Sequence, residues 1–216
     1  MVTADQKRSV VKQQLKVWKE RRTLLLGIMV LGMAFAEGSA NDWLPLIMVD
    51  GYGVNSVAGS FIYGLFVAAM TLGRFSGGWV LDRYGRMRVL SGCAVAAILG
   101  LMLVIWGQHY ILASLGVFLW GLGASLGFPV GLSAAGDEPQ GAAERVGAVA
   151  TMGYIASLMG PPGIGFLGEH FGLLHALSAV LIGIAISGLL TKSVRTVQIK
   201  NTSLYDERGL GVQDEN

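Results

Sequence analysis

Gly78-Trp79-Val80-Leu81-Asp82-Arg83-Tyr84-Gly85-Arg86-Met87-Arg88 is a short charged stretch set between two long apolar runs, approximately Val57 to Trp79 before it and Val89 to Gly107 after it. A bilayer core about 30 Å thick takes roughly 20 mainly apolar residues per helix, and both flanks reach that length. The runs are continuous instead of alternating, so helices are expected and not the strands of a barrel. Gly85 permits a tight turn between the two helices, and Gly78 lets a neighbouring helix approach closely. The stretch therefore predicts a membrane hairpin with an arginine-bearing turn.

The rest of the chain repeats this pattern. Further spans are expected at about Thr23 to Ala40, Ile111 to Ala134, Val146 to Gly168 and Leu173 to Leu190, making six. Composition agrees: of 216 residues, 53% are hydrophobic, only 14% are charged and 32 are glycine. A soluble domain carries about 25% charge, so lipid is the expected surrounding. The predicted organisation is a basic N-terminal segment over residues 1–22, a six-helix bundle over 23–191 and a polar tail over 192–216.

The basic residues orient the bundle, because loops rich in Lys and Arg stay in the cytoplasm. With the N-terminus inside, cytoplasmic segments hold Lys7, Arg8, Lys12, Lys16, Lys19, Arg21 and Arg22, then Arg83, Arg86, Arg88, Arg145, Lys192, Arg195, Lys200 and Arg208. The outer loops hold none. A multi-pass protein of the inner or plasma membrane with both termini cytoplasmic follows. The N-terminal cluster directly precedes a span, so it reads as juxtamembrane and not as a nucleic-acid patch. Val11, Leu15 and Trp18 share one helical face there, which admits either a helix on the inner leaflet or a solvated linker. Leu24 to Met33 followed by Ala34-Phe35-Ala36 imitates a secretory signal, but the long basic region and the full-length spans beyond it favour a retained first span.

An offset of 87 positions superposes Gly73 on Gly160, Gly78 on Gly165, Gly85 on Gly172, Leu90 on Leu177 and Ser91 on Ser178. Three spans separate the copies, so the equivalent turns must lie on opposite sides of the membrane, as in an inverted three-plus-three repeat. The charges agree: where the first copy has Arg83, Arg86 and Arg88, the second has His170, Leu173 and His175.

The stretch from Gly78 to Arg88 resembles the loop motif of the major facilitator superfamily, Gly-x-x-x-Asp-Arg-x-Gly-Arg followed by a basic residue. It departs from the motif at Met87, with Arg88 supplying the charge one position later. The resemblance implies an all-α half bundle, the C-terminal half of a typical member, in which Gly78, Asp82, Arg83, Gly85, Arg86 and Arg88 form a cytoplasmic gating cluster. In the family this cluster latches the cytoplasmic side in one state and releases it in another. The residues themselves let Asp82 pair with Arg83 or Arg86, or face the N-terminus of a neighbouring helix.

Glu37 is the candidate for transport chemistry. A carboxylate within a span costs about 2.5–3.5 kcal/mol on insertion scales and marks a functional site by default. At about 1.5 Å per residue it lies about 22 Å from Arg22, which predicts the outer half of the bilayer. Asn41 follows one turn later on the same face, and Asp42 with Trp43 is expected to begin the outer loop. Ala36 to Trp43 also resembles the first-helix segment of bacterial permeases of the same superfamily. Glu37, Asn41 and Asp42 are thus the expected solute or proton pathway. Arg74, two turns before the loop motif, is expected to form a structural ion pair, with Asp82 within reach, or to snorkel.

Gly160, Pro161 and Pro162 predict a kinked, closely packed fifth span, since proline removes helix hydrogen bonds. The run loosely resembles a glycine-proline antiporter motif that belongs to the other half of the family fold, so antiport is not implied. Gly163-x-Gly165-x-x-Gly168 follows no strand and is not a dinucleotide site. The ladders Gly73 with Gly77 and Gly123, Gly127 with Gly131 read as helix contact faces. Cys93 lies alone in an apolar run, and His109, His170 and His175 have no metal-ligand spacing. No nucleophile, base and oxyanion site assembles, so an enzyme is not expected and neither a metal nor a cofactor is implied.

The resemblance implies a secondary transporter half. Its expected partners are the bilayer, a small solute, protons where coupling applies, and a second six-helix bundle from another chain, a homodimer or an upstream segment. A non-transporting membrane protein, either a permease fragment or a regulatory partner, is the alternative. Glu37 and Asn41 suit polar solutes such as sugars, whereas the aromatic and Met-rich walls suit hydrophobic ones.

Overall fold

A computed structural model describes residues 16–195. Its helices are α1 (Arg21–Tyr52), α2 (Ser56–Tyr84), α3 (Arg86–Trp106), α4 (Tyr110–Ala124), α5 (Gly127–Ala135), α6 (Ala142–Phe171) and α7 (Leu173–Leu189), followed by a 3-10 turn over Leu190–Val194. No strand occurs among the described residues. Five stretches are long and apolar enough to cross a membrane: α1, α2, α3, α4 with α5, and α7 with the turn after it. The remaining span, fifth in chain order, is α6, whose 30 residues are diluted by Gly, Pro and terminal charges. The six expected spans are therefore present in an all-α bundle.

Two boundaries differ from the sequence expectation. The first span runs on to Tyr52 instead of ending near Ala40, so Asn41, Asp42 and Trp43 are helical. Asn41 and Asp42 are exposed, and Trp43 Nε1 donates to the Pro161 carbonyl at 2.9 Å. Polar residues placed in this way do not require a loop. The helix stops at Gly53, whose φ of 67° closes a left-handed cap with its N–H on the Val49 carbonyl at 2.9 Å. The fourth span, expected as one run, is broken at Ser125 and Leu126.

The inverted repeat is carried by two single-residue turns. Gly85 joins α2 to α3 with φ 78° and ψ 152°, and Gly172 joins α6 to α7 with φ 82° and ψ 146°. Each donates its N–H four residues back, to Leu81 at 2.9 Å and to Gly168 at 2.8 Å. Each accepts from four residues on, from Val89 at 3.2 Å and from Ala176 at 3.0 Å. Helix ends correspond as well, Tyr84 with Phe171 and Arg86 with Leu173. The two turns lie at opposite ends of the bundle: Gly85 borders a hollow with Val194 and Arg195, whereas Gly51 at the far end of α1 packs on Leu174.

The long helix α1 is the centre, packing on α2, α5, α6 and α7, while α3 is held by α4 and α7. Met29, Val30, Met33, Ala36, Leu44, Ile47 and Met48 of α1 are buried. Where α3 crosses α4 the backbones nearly touch, since a Cβ on Gly100 would lie 2.4 Å from the Gly116 carbonyl oxygen. The expected Gly123, Gly127 and Gly131 face serves two partners because of the break: Gly123 abuts Cys93 and Ala97 of α3, while Gly127 and Gly131 abut Met33 and Val30 of α1. Of the N-terminal segment, 1–15 lies outside the described residues, as do 196–216 of the tail; Val17 is buried and Trp18 exposed.

The positive φ with extended ψ at Gly85 and Gly172 is a region that side chains enter only under strain, at about 1–3 kcal/mol. Gly85→Ala and Gly172→Ala are each expected to lower the melting temperature of the detergent-solubilised protein. Gly64→Ala is expected to leave it unchanged or raise it, because that helical position has open space around it.

Candidate functional site

The helices α1, α2, α5 and α6 enclose an open-sided cleft of about 820 Å³, lined by Glu37, Arg74, Gly78, Asp82 and Arg86 together with Phe128, Ser133, Tyr154 and Ser157. The break between α4 and α5 shapes it. Ser125 and Leu126 leave the helix, and the Ser125 carbonyl, freed from the α-helical ladder, accepts from Arg74 Nε at 3.3 Å. Irregular backbone inside a membrane bundle is tolerated where it is buried or lines a cavity. The following turn brings Phe128 and Pro129 to the cleft wall.

Arg74 does not turn towards Asp82. Its Nη2 donates to both carboxylate oxygens of Glu37, at 2.9 and 3.1 Å, tying α2 to the middle of α1. Glu37 sits mid-helix instead of towards the outer end, because α1 extends far beyond Ala40. The pair is accessible from the cleft, with the Glu37 side chain 24% and the Arg74 side chain 46% exposed. Asn41 and Asp42 do not line this cleft. Asn41 Oδ1 accepts from Tyr63 Oη at 3.3 Å, and Asp42 is exposed on α1.

The loop-motif residues separate into different roles. Gly78, Asp82 and Arg86 face the cleft, but Asp82 is exposed and forms no ion pair among the described residues. Arg83 lies over the Trp79 and Tyr84 rings, 5.7 and 5.9 Å from their centroids. Arg88 borders an apolar groove between α2 and α3. Arg86 Nη1 donates to Asp137 Oδ1 at 2.6 Å and its Nη2 to Ser133 Oγ at 2.9 Å.

Asp137 also receives Arg22 Nη2 at 2.9 Å, so one carboxylate, 9% exposed, bridges the first turns of α1 and α3. Glu138 continues the network to Arg145 at 3.1 Å and Arg22 at 3.8 Å, and Arg145 reaches Glu20 at 3.7 Å. Sequence reasoning missed both acids. Their signal was an acidic pair directly after an apolar run, in a loop on the arginine-rich side. Gly160 and Pro161 belong to the α1 contact instead of the cleft, Gly160 against the Phe35 ring and the Pro161 carbonyl on Trp43, whereas Pro162 is exposed; α6 continues through both prolines.

The sequence profile described as Major Facilitator Superfamily matches residues 3–161. The chain belongs to the Major Facilitator Superfamily. It is similar to an uncharacterized MFS-type transporter of Yersinia pestis, 31% identical over 160 residues, which cover 74% of this chain and 42% of that protein. A niacin transporter, NiaP, of Acinetobacter baylyi is 29% identical over 154 residues, covering 64% of this chain and 34% of that protein. The fold matches the crystal structure of the superfamily transporter FucP in its outward conformation, with a TM-score of 0.77 and 15% identity over 85% of this chain and 45% of that one. The chain thus spans less than half the length of these relatives.

Losing a carboxylate that holds two guanidinium groups removes a short ion pair from each, and hydrogen bonds to charged groups contribute about 1.5–3 kcal/mol. Asp137→Ala is expected to lower thermal stability in detergent distinctly more than Glu138→Ala, whose side chain is 42% exposed and whose pairs are worth about 0–1 kcal/mol.

Proposed function

We propose that this chain is one six-helix half of a secondary transporter, moving a small solute through the cleft between its own bundle and a second one by alternating access. The observation that carries this reading is the Glu37–Arg74 pair. Intramembrane acid and base in contact, facing an open cavity, mark solute and ion pathways. Glu37 is the proton or solute carboxylate, and Arg74 its switchable partner.

The need for a second bundle is supported by the open side of the cleft and by the length of the relatives. Large side chains beside the cleft are also uncovered, including Phe75 at 87% and Leu158 at 75% exposure. The second bundle is supplied by another chain, a second copy or a preceding segment. Gly78, Asp82, Arg83, Gly85, Arg86 and Arg88 form the cytoplasmic gate against it. The end carrying Arg22, Arg86, Arg145 and Arg195 is the cytoplasmic one, with both termini on that side. The relative named as a niacin transporter suits a small polar solute.

Reconstituted vesicles test the proposal by solute uptake with and without an imposed proton gradient. Uptake is expected to depend on the gradient, and Glu37→Gln to reduce it at least about tenfold, which corresponds to about 1.4 kcal/mol in the barrier. The mass of the detergent-extracted particle is expected to exceed that of these 216 residues. A single copy of these 216 residues that transports alone would overturn the half-transporter reading, and a multimer that transports nothing would favour a non-transporting membrane protein.

A further inference from the structure

We infer that the cleft binds a small aromatic carboxylate, which takes the place of Glu37 on Arg74; the inference rests on the transport reading above. Two guanidinium groups line the cleft. Arg86 commits both terminal nitrogens, to Asp137 and Ser133. Arg74 commits Nε to a backbone carbonyl and Nη2 to Glu37, and its Nη1 makes no hydrogen bond among the described residues. Guanidinium presents five donors in a planar fork that matches a carboxylate in two parallel bonds.

The sign of the ligand follows from which member of the pair has a donor to spare. Arg74 is a permanent cation whose Nη1 is uncommitted among the described residues. The group that matches it is therefore negative. The net-neutral pair also costs little to keep in the bundle while the cleft is empty of ligand, and an incoming carboxylate restores that balance when Glu37 lets go.

The ring is called for by an aromatic pair on the same lining. Phe128 and Tyr154 lie 5.8 Å apart between centroids and tilted by 50°, both on the cleft lining. Tyr154 is 61% exposed, and its hydroxyl makes no hydrogen bond among the described residues. Aromatic pairs favour a further ring stacked or edge-on, and tyrosine adds a polar tip. A flat ring bearing one carboxylate meets both the fork and the wall, and such a molecule fits a cleft in the size range of small-molecule sites.

The test is equilibrium binding of radiolabelled benzoate to the full chain in lipid nanodiscs, with acetate, benzamide and benzyltrimethylammonium as competitors. Benzoate is expected to bind at least about tenfold tighter than each competitor, with one charged bidentate contact as the scale. Arg74→Gln should lose that advantage while still eluting as a folded particle. Tyr154→Ala should weaken benzoate but not acetate. Glu37→Gln should tighten benzoate several-fold, because the internal competitor is gone; a purely structural pair predicts the reverse.

Equal weakening by Glu37→Gln and Arg74→Gln would overturn the inference, as would stronger binding of benzyltrimethylammonium or no benzoate binding to folded wild-type chain. The transport reading fails separately. Vesicles that carry a neutral or cationic solute but never compete with benzoate overturn the anion site alone, while benzoate binding without any flux supports the site and counts against transport.

Discussion

A backbone carbonyl in hydrocarbon has no water to turn to, and this bundle is organised around the break in its fourth span. The break at Ser125 and Leu126 frees a carbonyl, and Arg74 crosses from α2 to meet it. Bringing a guanidinium to that depth demands an acid, and Glu37 from the central helix supplies it with both oxygens. Three elements, α1, α2 and the fourth span, are thereby joined at a single side chain. The break, the arginine and the acid are mutually dependent, which is why the cleft forms where it does.

The fold is close to symmetric but its charges are not. Gly85 and Gly172 adopt nearly the same backbone conformation and the same pair of flanking hydrogen bonds, so the two halves of the repeat obey one turn geometry. Around Gly85 stand Arg83, Arg86 and Arg88; around Gly172 the equivalent positions are His170, Leu173 and His175. Only the first end builds an ion-pair network among the described residues, and Asp137 is its hub. A symmetric scaffold with one end tied electrostatically gives the bundle a polarity that its helices alone lack.

Much of this was legible in the sequence because hydrocarbon imposes a length on every span and glycine imposes a conformation on each tight turn. The six spans, the Gly85 and Gly172 turns and the loop-motif resemblance all followed from local pattern. What stayed hidden was set by contacts distant along the chain. Asp42 and Trp43 read as the start of a loop because hydropathy does not distinguish a polar residue in water from one on the exposed flank of a helix. Arg74 stands within helical reach of Asp82, yet its partner came from 37 positions away. Asp137 joins arginines 115 and 51 positions distant, a relation that no periodicity encodes. The break itself had only the glycines, Ser125 and Pro129 to announce it, and the same residues also suit a continuous packed helix.

The accessibility of the Glu37–Arg74 pair fixes how it can be used. A fully enclosed pair would be costly to separate, because each charge would be left in low dielectric without a partner. Here both side chains reach the cleft, so water or a ligand group can replace either partner as the two come apart. Arg74 would keep its hold on the Ser125 carbonyl while releasing Glu37, since the two contacts use different nitrogens. Exchange at this site would then loosen α1 from α2 without loosening α2 from the fourth span. A ligand can shift a conformational equilibrium only by what it gains in one state over the other, and a contact shared by three elements and divisible between them provides such a difference.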